Sequence, residues 1–324
     1  MNRRTMLHGL GLTVTSAFMA NKLLERCRPL LRQRKHSHIA VLWCSDYNKA
    51  GAVIREGLRL FATPIRGKHV LLKPNLVEYS SAAPINTHPT VVAATADALY
   101  GLGAAEVVVA DGPGHVRDTM LLLEESGLRS ELSGLRNVRF VDLNTDSVRR
   151  VRPRGGFTSL NELWLPDTVL SADVVISMPK IKTHHWAGVT LSLKNLFGAV
   201  PGSVYGWPKN VLRWQGISRS IAELATTVPV HFVIADGIEA MEGNGPLHGA
   251  ARPLGCLVLG DDPVATDATC CRLMEIEPTR VRHLQMVSSM FGNLHEDRIV
   301  QRADPVDSLS QTFELLPSFS YLRP

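Results

Sequence analysis

The sequence predicts an α/β protein built on a mainly parallel sheet with helices on both faces. Two observations lead to this fold class: short apolar runs recur along the chain, and segments with helical periodicity separate them. Strands that alternate with helices are joined by right-handed crossovers, which make neighbouring strands parallel. With 324 residues, of which 45% are hydrophobic and 20% charged, the chain has ample material for the core of such a sheet.

The apolar runs are predicted strands, and most are continuously apolar, as expected when a strand is covered on both faces. These runs are residues 39–43, 69–72, 106–110, 138–141, 174–178, 230–235 and 256–259. The predicted helices between them are residues 50–62, 90–102, 117–126, 211–227, 263–275 and 278–291. Asp262 followed by Pro263 suits the N-cap and first position of the helix at 263–275.

Three regions are expected along the chain: a basic leader over residues 1–38, one α/β domain over 39–303 and a C-terminal tail over 304–324. Within the domain, residues 147–166 interrupt the alternation with an Arg-Pro-Arg-Gly-Gly run and short polar stretches. This break predicts a hairpin or an insertion. The Pro and Ser content of the tail is typical of a segment that wraps the surface.

The leader resembles a twin-arginine export signal, because Arg3 and Arg4 precede a weakly apolar run over residues 6–20. This resemblance predicts engagement of export machinery and a periplasmic or other extracytoplasmic location, with or without a membrane tether. Six further Lys or Arg over residues 22–35 oppose translocation. A cytoplasmic protein with a basic N-terminal extension, or with a transit peptide, is therefore the alternative.

Charge is distributed unevenly between the leader and the rest of the chain. The net charge is +5, but residues 1–38 hold eight Lys or Arg and one Glu. Of the 35 basic and 30 acidic residues, the remainder therefore keeps 27 and 29. The folded body gives no argument for binding nucleic acid. The chain also lacks a Walker A motif and a GxGxxG after its first strand, so nucleotide-driven chemistry has no positive support.

Polar residues follow four of the predicted strands, and this is the strongest functional signal in the sequence. Carboxyl ends of parallel strands meet at one edge of a sheet, where ligands bind. We expect residues 180–185 to form a loop, and a short helix to begin at Thr190 and end at Gly198 with a positive φ. The candidate residues are Lys73, Asn75, Asp111, Lys180, Lys182, His184, Lys194, Asn195, Asp236, Gly243, Asn244 and Gly245.

The types of these residues suggest different roles at an anionic site. The candidates for catalysis are Lys182, His184, Lys194, Asp111 and Asp236, because the unperturbed pKa of histidine lies near neutrality and clustering lowers the pKa values of lysines. The candidates for substrate binding are Lys73, Asn75, Lys180, Asn195 and the turn at Gly243, Asn244 and Gly245, which offer cations, amides and backbone N–H groups. Glu242 and Asp267 are the candidates for holding a metal ion.

Plainer interpretations of the same residues stay open. Asp-Gly pairs are common turn formers, so Asp111 and Asp236 are also typical of turns. The Gly-Asn-Gly-Pro stretch at 243–246 is also suited to a chain reversal. His184 beside His185 is also compatible with a surface pair.

Several motifs together resemble those of the domain-of-unknown-function 362 family. These motifs are KPN at 73–75, DGPG at 111–114, PKIKTH at 179–184, TLSLKNLFG at 190–198, DGIEAMEGNGP at 236–246 and DDPVATDA at 261–268. The resemblance covers roughly residues 39–292. Many members of the family carry ferredoxin-type cysteine clusters, which implies a redox association.

This chain departs in its cysteines from the family that it resembles. None of the five forms a CxxC pair; they are Cys27, Cys44, Cys256, Cys270 and Cys271. We therefore expect no iron–sulfur cluster and no disulfide scaffold in this chain, and a redox partner has no support from its own residues. Other cofactors cannot be named from the sequence.

Three hypotheses about function follow. The first is an enzyme that acts on a small anionic substrate, a carboxylate or a phosphate. The second is a protein that depends on a divalent metal or takes part in redox chemistry. The third is a non-catalytic, extracytoplasmic protein that binds an anion. The variant His184→Ala separates the first from the third, since an enzyme loses turnover and keeps affinity.

Overall fold

The computed structural model describes residues 35–114 and 118–324. The predicted leader lies almost wholly outside these residues, as do His115 and the first residue of the helix expected at 117–126. The strands are β1 Ser37–Trp43, β2 His69–Pro74, β3 Glu106–Asp111, β4 Val138–Asp142, β5 Val148–Val151, β6 Leu163–Pro166, β7 Val174–Met178, β8 Lys180–His184, β9 Gly188–Thr190, β10 Phe232–Asn244, β11 His248–Arg252, β12 Cys256–Gly260 and β13 Ile299–Ala303.

The helices lie between these strands along the chain. They are α1 Ala50–Arg59, α2 Pro89–Gly101, α3 Thr119–Glu125, α4 Leu128–Ser133, α5 Asp167–Ser171, α6 Ser192–Asn195, α7 Gly202–Tyr205, α8 Asn210–Trp214, α9 Ile217–Thr227, α10 Pro263–Leu273, α11 Arg282–Ser288 and α12 Val306–Leu309. None of them, within the described part of the chain, is long and apolar enough to cross a membrane.

The main sheet confirms the predicted fold class. Its strand order is β13-β1-β12-β10-β7-β2-β3-β4, and every neighbouring pair is parallel except the two that involve β12. Strand β12 runs antiparallel to its neighbours β1 and β10. The reason is that β10, β11 and β12 follow one another through short connections. The expected hairpin at 147–166 is also present, as β5 pairs antiparallel with β6.

Helices cover both faces of the sheet and bury two apolar clusters. On one face, α9, α10 and α11 pack against residues such as Leu71 and Val175. On the other, α1, α2 and α3 pack against Leu72 and Val109. Because successive residues of a strand point to opposite faces, continuously apolar runs serve both clusters at once.

The structure differs from the sequence expectations at one helix, at an edge strand and at the C-terminus. The helix expected over 211–227 is split into α8 and α9 at Gly216, whose φ of 93° is not helical. The edge strand β13 was not expected from the sequence, and it pairs parallel with β1. The C-terminal segment does more than wrap the surface, since it buries Phe313 and Leu322 in the core.

Candidate active site

Four parallel strands bring the candidate residues to one edge of the sheet. Strands β10, β7, β2 and β3 are neighbours in that order, so their carboxyl ends lie together. The edge holds a cavity of about 310 Å³, here called the lysine cavity. Its polar lining is Asn75, Asp111, Lys182, His184, His185, Thr190, Lys194, Asn195, Lys209 and Arg213.

A buried ion pair forms the floor of this region. Lys73 Nζ donates to Asp111 Oδ1 at 2.7 Å and to Asn195 Oδ1 at 3.1 Å. Asp111 also accepts hydrogen bonds from the backbone N–H groups of Leu76 and Gly112, at 2.6 and 2.8 Å. Burial lowers the pKa of Lys73, and the neighbouring Asp111 carboxylate works in the opposite direction. The charge of Asp111 is therefore offset inside the protein before any ligand binds.

Two cavity lysines are held by protein oxygens. Lys182 Nζ donates to the Ile85 carbonyl at 2.5 Å. Lys209 Nζ donates to Asn144 Oδ1 at 2.6 Å and to the Val200 carbonyl at 2.5 Å. Burial is the main cause that lowers both pKa values, that of Lys182 well below its usual range and that of Lys209 to about 7. These acceptors are uncharged, so the two ammonium groups lack a counter-ion of their own.

Lys194 is placed differently from the other cavity lysines. Its ammonium makes no hydrogen bond or ion pair to any described residue, and it lies 4.5 Å from the centre of the Phe197 ring. Burial, and then the positive charge of Lys73, lower the pKa of Lys194 to about 8. Lys194 therefore faces the cavity without a polar anchor.

The two adjacent histidines carry opposite tautomers. His184 Nδ1 accepts the Trp186 backbone N–H at 3.0 Å, which assigns its proton to Nε2. His185 Nδ1 lies 2.8 Å from the Gly245 carbonyl and must donate to it, which leaves Nε2 as a free acceptor. Burial lowers both imidazole pKa values, that of His184 well below its usual range. His184 is thus a hydrogen-bond donor, and His185 is a base.

Two buried polar atoms of the cavity lining have no partner among the described residues. They are Asn75 Oδ1 and Thr190 Oγ1, on side chains that are 7% and 3% exposed. Buried polar groups in native proteins are almost always hydrogen-bonded. These two atoms are therefore positioned to bind a ligand or ordered water.

Lys180 and Asp236 lie away from the lysine cavity. Lys180 Nζ donates to Asp236 Oδ2 at 2.9 Å and to the Tyr47 hydroxyl at 2.8 Å, in a pair that is almost fully buried. Asp236 Oδ2 also accepts the backbone N–H of His88 at 2.9 Å, and the Tyr47 ring stacks on the His88 ring. Lys180 borders a second cavity, which the loop at residues 75–88 separates from the first.

The remaining candidates at residues 242–245 lie near the end of β10 and contact other parts of the chain. Glu242 accepts the Glu314 backbone N–H at 2.8 Å, and Gly243 donates its N–H to the Glu314 carbonyl at 2.9 Å, outside the lysine cavity. Asn244 ends β10 and is exposed. The Gly245 carbonyl anchors His185, and a Cβ on Gly245 would lie 2.1 Å from the Thr183 carbonyl oxygen.

Asp267 caps a helix that belongs to another part of the chain. Its two carboxylate oxygens accept the backbone N–H groups of Ser192 and Leu193, at 2.7 and 2.9 Å. Leu191, the residue before α6, has no side-chain oxygen that could accept hydrogen bonds from these N–H groups. Burial raises the pKa of Asp267 to about 8. Asp267 therefore positions α6, which carries Lys194 and Asn195.

Cysteine and carboxylate ligands do not gather into a metal site in the described ranges. No group of three His, Cys, Asp or Glu side chains there could hold an ion. Cys44, Cys256, Cys270 and Cys271 are buried free thiols.

Two local expectations about this region were wrong. Residues 180–184 form strand β8, since their alternation buries Ile181 in the core while β8 pairs with β9 and β10. The helix begins at Ser192 and not at Thr190, and Gly198 does not have a positive φ. Gly198 is needed for space, because a Cβ there would lie 1.9 Å from Asp111 Oδ1.

Sequence reasoning missed Lys209 and Arg213. Lys209 lies in the turn before α8, and Arg213 lies in α8 itself. Neither segment directly follows a predicted strand, so the sequence did not indicate that they lie near this edge of the sheet. Arg213 stacks on Trp186, with 4.1 Å between its guanidinium carbon and the ring centre. The Trp207-Pro208-Lys209 run carried no such signal, because the burial of Lys209 and its φ of 64° are properties of the fold.

Comparisons with known proteins agree with the motifs. A thylakoid-associated protein, sll1697 of a Synechocystis species, is 31% identical over 231 residues, which are 69% of this chain and 68% of that protein. Among solved structures, the lactate racemase apoprotein of Thermoanaerobacterium thermosaccharolyticum has a TM-score of 0.42 and 13% identity over 63% of this chain. A Thermotoga maritima protein has a TM-score of 0.42 and 12% identity over 76% of it.

The two structural likenesses are too distant to carry any argument about activity. The chain spans only 51% and 59% of the lengths of those two structures. The family match is much more specific, since it covers residues 70–272 and includes most elements that form the lysine cavity. On this match and on the Synechocystis relative, the chain belongs to the family described as domain of unknown function DUF362.

Proposed function

We propose that the lysine cavity is the active site of an enzyme that acts on a small anionic substrate, a carboxylate or a phosphate. The observation that carries this proposal is the imbalance of charge in the lining. Lys182, Lys194 and Lys209 face the cavity, whereas Asp111 is its only carboxylate among the described residues and is already paired with Lys73. An anion would supply the counter-charge that these ammonium groups lack.

The proposed roles follow from the hydrogen bonds already made. Lys182 and Lys209 are anchored by carbonyl and amide oxygens and would bind the anionic group. His184 would donate its Nε2 proton to a substrate oxygen. His185, with a free Nε2, would accept a proton from the substrate. Asn195 would hold Lys73 in place, since it accepts a hydrogen bond from the Lys73 ammonium and donates one to the Lys73 carbonyl.

Binding of oxalate, measured by titration calorimetry, tests the anion site. We expect the variant Lys209→Met to bind oxalate at least tenfold more weakly, because a charge-assisted hydrogen bond contributes about 1.5–3 kcal/mol. The matched control is Lys49→Met, which removes a lysine whose side chain is 65% exposed on the surface. Equal loss of affinity in both variants, or no binding of oxalate to the unmodified protein, would contradict the proposal.

A second experiment separates an enzyme from a binding protein. Small molecules released from the purified protein by denaturation are identified by mass spectrometry and offered back as substrates. The variant His185→Asn retains a donor for the Gly245 carbonyl but has no Nε2. We expect it to bind the released compound and to turn it over about 100-fold more slowly. A compound that binds and is never converted indicates the non-catalytic alternative.

We propose further that the leader directs export of this protein. The support is the Arg3–Arg4 pair ahead of a weakly apolar run. Sequencing the N-terminus of the mature protein from fractionated cells tests this. An intact Met1 on protein recovered from the cytoplasm contradicts it.

A further inference from the structure

The lysines around the cavity divide into anchored ones and a free one. Lys73, Lys182 and Lys209 each donate to a protein oxygen at 2.5–2.7 Å. We infer that Lys194 is a nucleophile, which forms an imine with the carbonyl carbon of a 2-oxo acid bound in the lysine cavity. This inference rests on the proposed function, since it uses the same cavity and names its substrate class.

The surroundings of Lys194 suit a reactive amine. No described residue accepts a hydrogen bond from its Nζ, which lies 4.5 Å from the centre of the Phe197 ring. Its backbone is held firmly, because Asp267 caps the first turn of α6. A fixed backbone with an unanchored amine is the arrangement that a covalent catalyst needs.

The electrostatics around Lys194 favour the neutral amine near physiological pH. Burial lowers its pKa to about 8, and the Lys73 ammonium contributes in the same direction. The charged and titratable groups that interact with it are Lys73, Asp111, Lys182, His184, His185 and His283. Only Asp111 among these favours the charged form, and it is engaged by Lys73. A useful fraction of Lys194 is therefore uncharged at pH 8.

The chemistry of the lining matches the parts of a 2-oxo acid. The anchored ammonium groups of Lys182 and Lys209 suit its carboxylate. The unpartnered oxygens of Asn75 and Thr190 can bind the hydroxyl group that forms when an amine adds to a carbonyl. Apolar side chains in the same wall, such as Ile217, would contact the rest of the substrate.

The proposed step is balanced without any oxidant or reductant. The Lys194 Nζ lone pair attacks the carbonyl carbon and a C–N bond forms. The carbonyl π electrons move to oxygen, which takes up the proton that nitrogen loses, and this gives a carbinolamine. The C–O bond then breaks, the hydroxyl group leaves as water with the second nitrogen proton, and a C=N bond remains.

Reductive trapping tests this inference. The full-length protein is incubated with pyruvate and cyanoborohydride, and the modified lysines are located by peptide mass spectrometry. We expect Lys194 to be labelled at least tenfold faster than the exposed Lys49 of the same molecule. The variant Lys194→Arg cannot form an imine, so it should lose the label at this position.

The results distinguish this inference from the proposed function. If oxalate binds and pyruvate leaves no label on Lys194, the imine is overturned while the anion site stands. If Lys49 and Lys194 are labelled at equal rates, the imine is overturned as well. If oxalate does not bind, the proposed function fails and the inference fails with it. If Lys194→Arg does not fold, the label on Lys194 of the unmodified protein still decides whether the imine forms.

Discussion

At the scale of single residues, the buried pair of Lys73 and Asp111 depends on the missing side chain of Gly198. A Cβ at position 198 would lie 1.9 Å from Asp111 Oδ1 and 2.6 Å from Lys73 Nζ. Neither partner can move away freely, because each makes further hydrogen bonds to the chain. The glycine is therefore required for close approach, and its backbone conformation is ordinary.

We predict that Gly198→Ala destabilises the protein by about 3 kcal/mol or more, because it separates a buried ion pair. Chemical denaturation gives this value. The matched control is Gly101→Ala, where a Cβ meets nothing within 4 Å at the end of a helix. That change should be neutral or stabilising by up to about 1 kcal/mol. Similar losses in both variants would show that the pair tolerates the added methyl group.

At the scale of secondary-structure elements, helix α6 depends on a cap that lies 75 residues away in sequence. The helix is four residues long and has no side-chain cap of its own. Such a short helix has little intrinsic stability. Asp267, from α10, satisfies the two buried N–H groups at its start and so fixes the direction of Lys194.

We predict that Asp267→Ala lowers the free energy of unfolding by about 2–4 kcal/mol, because two buried N–H groups lose their acceptor. Denaturation by urea measures this loss. The control is Asp118→Ala, which removes an exposed cap that also accepts two backbone N–H groups, at the start of α3. Water can replace that cap, so we expect a loss of about 1 kcal/mol. A smaller loss at Asp267 than at Asp118 contradicts the prediction.

Strand β8 shows how one element distributes charges between two sites. Lys180, Lys182 and His184 share one face because strands have a period of two. Lys182 and His184 line the lysine cavity, and Lys180 borders the second cavity on the other side of the loop at 75–88. A single strand face thus contributes to both cavities.

At the scale of the whole molecule, the lysine cavity collects lysine side chains from three separate regions. Lys182 comes from β8, Lys194 from α6 and Lys209 from the turn before α8. Burial is the main cause that lowers all three pKa values, and Lys209 and Lys194, with pKa values of about 7 and 8, lose their positive charge as pH rises through that range. An anion that binds there would restore the charge by stabilising the protonated forms.

We therefore predict that oxalate binds more weakly as pH rises. Lys209 and Lys194, with pKa values of about 7 and 8, are charged at lower pH and lose their protons as pH increases. Since the anion prefers the charged forms, its affinity should fall about tenfold or more between pH 7 and pH 9. Calorimetry across this range measures the change.

The variant Lys194→Arg is the control for this pH dependence. Arginine stays protonated throughout the range, so of the two residues only Lys209 still titrates. The decrease in oxalate affinity with rising pH should therefore become shallower. An affinity for oxalate that is constant from pH 7 to pH 9 in the unmodified protein would mean that these lysines do not titrate on binding.

Part of the candidate site was predictable from the sequence. The polar residues after β2, β3 and β7 were expected at one edge, and Asn75, Asp111, Lys182 and Lys194 do line one cavity. Asp236 was expected in the same group, but it forms a separate buried pair with Lys180. The sequence could not predict this separation, because the loop at 75–88 divides the edge through contacts that are not local.

The sequence by itself determined the fold class and the edge of the sheet at which most of the candidate residues lie. Apolar runs and helical periodicity are local properties, and the parallel order of strands follows from their alternation with helices. Only the tertiary structure decided which lysines are anchored by protein oxygens and that Lys194 is without such an anchor. It also brought in Lys209 and assigned Asp267 to a helix cap. The physical reason is that a side chain's hydrogen-bond partners and desolvation depend on atoms that are distant in sequence.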